Sequence, residues 1–177
     1  MKRDLRPIRD KIRSDGRCRR LLSIFNESSI YKIAFDDLTK EVLDMHKTRA
    51  VRFLSRGDGH FIEKLVDASL RDQASRSRLA EISMHCFRAQ SSLMEAVQPL
   101  QEYLIMTYGP EMSFVRTKDE RKQLVDMALR PFHKFIQQCT TLRSLTDIVI
   151  ADVDKAAWSL RLMVNAYELT NRPEQTI

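Results

Sequence analysis

Glycine and proline are scarce in this chain, 4 and 5 of 177 residues, and both are punctuation that a turn-rich β fold needs. Their shortage, with Leu, Ala, Met, Arg, Lys, Glu and Gln plentiful, argues against an all-β architecture and predicts an all-α one. No apolar run approaches the roughly 18 residues that cross a bilayer, and the first residues lack the apolar stretch of a secretory signal. These absences predict a soluble, cytoplasmic protein with no membrane partner. Cysteine is sparse too. Cys18, Cys86 and Cys139 are odd in number and far apart, which fits reduced, inert thiols in a helical core better than a disulfide framework.

Motifs of chemistry are missing as well. There is no G-x-G-x-x-G or Walker A sequence, and no glycine-rich loop to cradle a nucleotide phosphate. His46, His60, His85 and His133 occur singly, without H-E-x-x-H or a close Cys/His pair, so no metal site is legible. His85 and Cys86 are adjacent, but neighbouring helical residues point about 100° apart and no third group orients them. The expectation is a protein that is not an enzyme, with no catalytic residues, no cofactor and no small-molecule substrate.

What the chain does have is uneven charge. Residues 1–20 carry nine basic side chains against Asp4, Asp10 and Asp15, a balance of 9 − 3 = +6. The whole chain also carries +6, so the remaining residues are neutral overall. Clustered Lys and Arg release counterions from a phosphate backbone and steer encounter with it. Arg3, Arg6, Arg9, Lys11, Arg13, Arg17, Arg19 and Arg20 are therefore candidate nucleic-acid contacts. The other reading is a basic terminus that is merely solvated or docks on an acidic protein surface. Three interrupting aspartates argue against a mitochondrial presequence.

Breakers divide the chain into four helical pieces. Pro7 fits a first helical turn, so residues near 7 to 25 predict a short amphipathic helix that Gly16 weakens and that orders on binding a partner. A second helix is expected from about Ser29 to Arg56, ended by Gly57-Asp58-Gly59. Asp58 then caps a very long third helix that reaches Tyr108 before Gly109-Pro110, with Pro99 kinking its last turns. Thr117-Lys118-Asp119-Glu120 has the form of a capping box, starting a fourth helix that continues to about Thr170 with a bend at Pro131. The organisation expected is a basic arm over residues 1–27 and a long-helix bundle domain over 28–177.

The fourth helix holds the strongest periodic signal. Val125, Ala128, Phe132, Phe135, Cys139, Leu142, Thr146, Val149, Val153, Ala156, Leu160, Met163 and Tyr167 follow alternating steps of three and four. A row of that length needs a partner helix, supplied by the third helix or by another subunit. This predicts a long antiparallel hairpin or bundle with coiled-coil-like packing, and it leaves a homo-oligomer open. The matching register on the third helix reads Ile62, Val66, Ser69, Gln73, Arg76, Ala80, Ser83, Phe87, Gln90, Met94, Val97, Gln101 and Leu104, with a polar centre. Arg71, Arg76 and Arg78 would meet Asp147, Asp152 and Asp154 there in a register-fixing layer, or else line a phosphate groove.

A second basic group lies on the second helix. The apolar row Phe35, Leu38, Val42 and Met45 continues as Arg49, Arg52 and Arg56. Arginines at i, i+3 and i+7 share a face suited to successive phosphates. The alternative is a solvated helix end whose cations complement the C-terminal dipole.

The segment Arg116-Thr117-Lys118-Asp119-Glu120-Arg121, with Asp152-Val153-Asp154-Lys155-Ala156-Ala157-Trp158 further on, resembles the C-terminal part of small helical proteins of tailed phages, over about the last third of the chain. Within that group the organisation is similar to the UvsY-type recombination mediators. The resemblance implies a homo-oligomer in the cytoplasm of a phage-infected cell. It further implies binding of single-stranded DNA and contact with a recombinase or single-strand-binding protein. The arginine arm has no counterpart in that family, so no binding residue is carried over from it.

Two functional expectations remain. One is a non-enzymatic accessory protein that binds single-stranded DNA by its phosphates through the basic arm and Arg49, Arg52 and Arg56. Few aromatics are available to stack on bases; Tyr31, Phe53, Phe61 and Phe114 are the candidates beside basic residues. The other is a helical structural or adaptor protein, a component of a virion or larger complex, acting by protein contacts alone.

Overall fold

A computed structural model describes residues 6–49, 61–112, 115 and 117–170, with the side chains of residues 6, 61, 62 and 166–170 set aside. Every regular element among the described residues is helical. In chain order they are α1 (Arg6–Ser14), α2 (Gly16–Glu27), a single 3-10 turn (Ser29–Tyr31), α3 (Phe35–Lys47), α4 (Phe61–Tyr108), α5 (Lys118–Ala128) and α6 (Arg130–Thr170). The long helix α4 packs against the later long helix α6, the all-α architecture that the sequence predicts. The chain forms two compact units, one of residues 1–35 with 85–141 and one of residues 36–84 with 142–177.

The apolar row of α5 and α6 is buried as expected. Val125, Ala128, Phe132, Phe135, Cys139, Leu142, Thr146, Val149, Val153 and Leu160 are all inside. Thr146, the polar member, satisfies its hydroxyl by donating to the Arg143 carbonyl at 2.7 Å. The row ends at Leu160, since Met163 is exposed.

Three helix boundaries differ from the sequence reading. The expected single rod over 117–170 is divided at Leu129. Pro131 has no N–H and sits in the first turn of α6, where that N–H would have no intrahelical partner, so the helix restarts around it. The Leu129 carbonyl accepts from the N–H groups of Phe132 at 3.0 Å and His133 at 3.3 Å. The expected helix over 7–25 is likewise two helices, because Asp15 leaves helical geometry (φ −57, ψ 140) and caps α2. Within the expected helix from Ser29 to Arg56, the described residues form the 3-10 turn and then α3, which ends at Lys47, and residues 50–56 lie outside the described residues.

The register of α4 is also corrected. Its buried row is Leu65, Ala68, Asp72, Leu79, Ile82, Cys86, Ala89, Leu93, Val97, Leu100, Leu104 and Tyr108, whereas Val66, Phe87 and Met94 of the expected row are exposed. The two rows run one position apart as far as Leu93 and Met94, and meet at Val97 and Leu104 because the buried row takes consecutive four-residue steps from Ala89 to Leu93 to Val97. The row that wins holds more leucine, and small side chains at Ala68, Cys86 and Ala89 let a facing helix approach closely. The expected row carries Ser69, Gln73, Arg76, Ser83 and Gln90, which would be costly to bury. Past Tyr108 the helix stops at Gly109, where a Cβ would lie 2.5 Å from the Ile105 carbonyl oxygen.

Within the first unit, Gln90 Nε2 donates to Thr140 Oγ1 at 3.1 Å and Gln101 donates to Asp126, so the two chain directions there are antiparallel. Helix α1 packs on α5, and Ile12 and Cys18 are buried. Five rings gather beside them: Phe25 lies 5.3 Å from both Phe132 and Phe135 and 5.4 Å from Tyr31, and Phe135 also meets Tyr31 at 5.8 Å and Phe35 at 5.4 Å. Residues 6–27 are thus part of a packed unit and not a separate arm. The three thiols are free and buried, and burial together with the nearby Asp15 carboxylate pushes Cys18 up to about 11, which makes it a poor nucleophile.

The start of α5 is the predicted capping box. Thr117 Oγ1 accepts from the Glu120 N–H at 3.2 Å, and the Glu120 carboxylate accepts from the Thr117 N–H at 3.4 Å. Thr117→Ala is expected to cost about 1 kcal/mol, read as a lower urea midpoint at unchanged slope, while Thr117→Ser keeps most of it. An alanine variant as stable as the parent would mean that the box does not hold the helix end.

Candidate nucleic-acid interface

The basic residues of the N-terminal segment divide by what surrounds them. Asp15 fixes their arrangement. Its carboxylate accepts from the N–H groups of Arg17 at 2.8 Å and Cys18 at 3.4 Å, and from the hydroxyls of Tyr108 at 3.0 Å and Tyr103 at 3.4 Å. Burial pushes this carboxyl up, but those four donors hold it below the usual carboxylate range. Tyr108 is pushed up to about 12, first by burial and then by the carboxylate beside it, so it remains a donor at neutral pH. The tie between Asp15 and the end of α4 decides which face of α2 turns outward. Cys18, Leu21 and Phe25 turn in, while Arg19, Arg20 and Ser23 face solvent.

Around that anchor, Lys11 forms an ion pair with Glu111 and lies 6.0 Å from the Tyr108 ring centre. Arg9 is half-buried, 3.7 Å from Asp10. The Arg17 guanidinium stacks 3.9 Å from the centre of the Tyr103 ring, a cation–π contact that holds it in place and leaves the side chain exposed. Arg13, Arg19 and Arg20 are exposed and make no ion pair with a described carboxylate. Leu22 and Ile24, 40% and 48% exposed, continue α2 beyond them. Arg3 and the Arg6 side chain lie outside the described residues.

Of the second group of candidates, Arg49 is among the described residues. Arg49 follows the end of α3 and is buried, 4% exposed. It pairs with Asp152 through Nη1 and lies 3.6 Å from Asp72 through Nε. The apolar row of α3 continues inward into this buried cation, so the expected exposed face of three arginines is not formed by Arg49; Arg52 and Arg56 lie outside the described residues. His46 stands 3.5 Å from Asp152 in the same cluster.

The expected arginine–aspartate layer is realised by one of its pairs. Arg76 holds Asp154 by two hydrogen bonds, 2.6 and 3.1 Å, whereas Arg78 turns to Glu41 at 2.8 Å and Glu81 at 3.3 Å. Arg71 is exposed. A phosphate groove lined by Arg71, Arg76 and Arg78 is therefore replaced, at two of its three positions, by carboxylate pairing.

Of the aromatic candidates for stacking, Tyr31 belongs to the ring cluster and bonds Ser92 at 3.0 Å; Phe53, Phe114 and the Phe61 side chain lie outside the described residues. The residues that sequence reasoning missed are Asp15, Tyr103 and Tyr108, although Asp15 ahead of Gly16 has the form of an N-cap. No group of three or more His, Cys, Asp or Glu side chains among the described residues could hold a metal ion. No helix among them is long and apolar enough to cross a membrane.

The chain matches no protein-family model, no characterised protein and no solved structure.

Proposed function

We propose that this protein is a non-enzymatic accessory factor that binds single-stranded nucleic acid by its phosphates through the basic surface of α1 and α2. The observation that supports this most is the set of four exposed cations within eight residues, Arg13, Arg17, Arg19 and Arg20, one of them stacked on a tyrosine. Guanidinium groups fixed on a helical frame meet a phosphate chain at small entropic cost. Single-stranded DNA is the favoured ligand, and the likeness to phage recombination mediators adds a role: helping a recombinase onto strands covered by single-strand-binding protein, in the host cytoplasm.

Salt-titrated binding of labelled oligonucleotides tests this. Affinity should fall linearly with log salt, and Arg13→Ala/Arg19→Ala/Arg20→Ala should flatten the slope by roughly 2, given about 0.7 per single-strand phosphate contact. Binding that ignores salt, or a slope indifferent to those three residues, would sink the reading. A second reading, a helical adaptor working by protein contacts, is favoured by the exposed side chains Ile148 and Trp158 of α6, 65% and 64% exposed.

A further inference from the structure

Helix α6 carries, besides its buried row, a second row that is apolar at four of its five positions and exposed to solvent. Opposite the buried row run Ile148, Ala151, Lys155, Trp158 and Leu162, also in alternating steps of three and four, and all exposed. Ile148 to Leu162 spans about 21 Å at 1.5 Å per residue. An outward row that keeps the coiled-coil period for this length has the form of a helix-pairing seam.

The charges along one edge of the row indicate what covers it. Asp147, Asp154 and Arg161 follow one another at intervals of seven, on one side of the seam. The sign reverses about the middle member, and that middle charge is already matched, since Asp154 is held by Arg76 at 2.6 Å. We infer that the protein forms a homodimer in which the outer row of α6 pairs antiparallel with the same row of a second copy, about a two-fold axis near Asp154.

In that arrangement Asp147 of each chain faces Arg161 of the second copy, twice by symmetry, as an isologous contact requires. Ile148 packs on Trp158 of the second copy. Ala151 leaves room beside Lys155, whose aliphatic stem is buried while its ammonium reaches the rim. A nucleic acid finds little free positive charge on this surface, because Lys155 and Arg161 are flanked by Asp147, Asp152 and Asp154. The inference does not rest on the DNA reading, and the two can fail separately.

Trp158 is the only tryptophan of the chain, so its emission reports on the seam directly. Without nucleic acid, sedimentation equilibrium should give twice the 20.7 kDa of one chain, and dilution should return the monomer while the Trp158 emission shifts to the red. Trp158→Ala, followed by sedimentation, and Ile148→Asp should each weaken the dimer about thirtyfold, as central interface residues do. Asp147→Arg alone should weaken it as well, and Asp147→Arg/Arg161→Asp should restore it. Those two positions are exposed, so the exchange leaves the fold intact, with far-UV circular dichroism as the check. A single-chain mass and constant emission up to about 100 µM, or a dimer indifferent to all these changes, would overturn the inference. So would an emission shift that depends only on added oligonucleotide.

Discussion

Phe135→Ala is expected to lower stability by about 3–5 kcal/mol, the range for removing a buried aromatic, and to loosen residues 16–35 ahead of the rest of the chain. The ring is 5% exposed and meets Phe25, Tyr31 and Phe35 at 5.3 to 5.8 Å. Each such pair is worth roughly 0.5–1.5 kcal/mol beyond area burial. These three partners come from α2, the 3-10 turn and the first residue of α3, so one side chain of α6 pins three successive pieces of the chain. For a chain of this size the loss corresponds to a melting temperature lower by about 10 °C. Limited trypsin digestion gives the sharper readout, because the bonds after Arg17, Arg19 and Arg20 lie inside α2 and are cut only when it opens. Phe135→Leu keeps most of the volume and should protect these bonds nearly as well as the parent. A parent-like digestion pattern for the alanine variant would show that α2 is held by something other than the ring cluster. The basic surface depends on that attachment, so its affinity for oligonucleotides should drop together with the protection of α2.

The helical class and the outline of the long hairpin were legible because composition and period agree over many residues. The row from Val125 to Leu160 has no rival of equal quality on its own helix. Helix α4 was harder, since the buried row lies one position from a strictly alternating one and takes consecutive four-residue steps at Ala89, Leu93 and Val97, which strict alternation does not foresee. Hydrophobic content favours the Leu65 row, with Leu65, Leu79, Leu93, Leu100 and Leu104 against Leu104 alone, and the small residues Ala68, Cys86 and Ala89 add the close approach they permit. Boundaries were lost where a side chain, not a glycine or proline alone, ends a helix. Asp15 splits the first helix by capping the next, and nothing local foretells that Tyr103 and Tyr108, some ninety residues away, will fix its carboxylate. The same remoteness explains the division among the cations. Residues 1–20 read as one basic block, yet Lys11 is matched by Glu111, while Arg13, Arg19 and Arg20 have no such counterpart among the described residues. Periodicity extended the α3 row to Arg49 correctly, but only folding reveals that Asp72 and Asp152 meet it there.

That buried cation carries the other large expected effect. Arg49→Ala should destabilise the protein by about 3 kcal/mol or more, since removing one partner leaves an inadequately compensated charge in a poorly solvated site. Asp72 is 6% exposed and its oxygen lies 3.6 Å from Arg49 Nε, whereas the Asp152 side chain is 37% exposed and keeps contact with water. The cost of the deletion therefore falls mainly on Asp72. Replacing both members, Arg49→Met with Asp72→Leu, removes the two buried charges together and should recover most of the loss, so the double variant is expected to be more stable than Arg49→Ala. Urea unfolding of the parent, Arg49→Met, Asp72→Leu and the double variant closes the thermodynamic cycle. Oligonucleotide binding supplies the second axis. A phosphate-contacting arginine would flatten the salt slope on substitution, whereas a structural one leaves the slope of every folded variant alone. Arg49→Lys, which keeps the charge but loses the planar fork that reaches two carboxylates, should lower the unfolding midpoint modestly at an unchanged salt slope. An Arg49→Ala variant of parental stability with a weakened salt dependence would return Arg49 to the nucleic-acid surface and leave the ion cluster with no part in holding this unit.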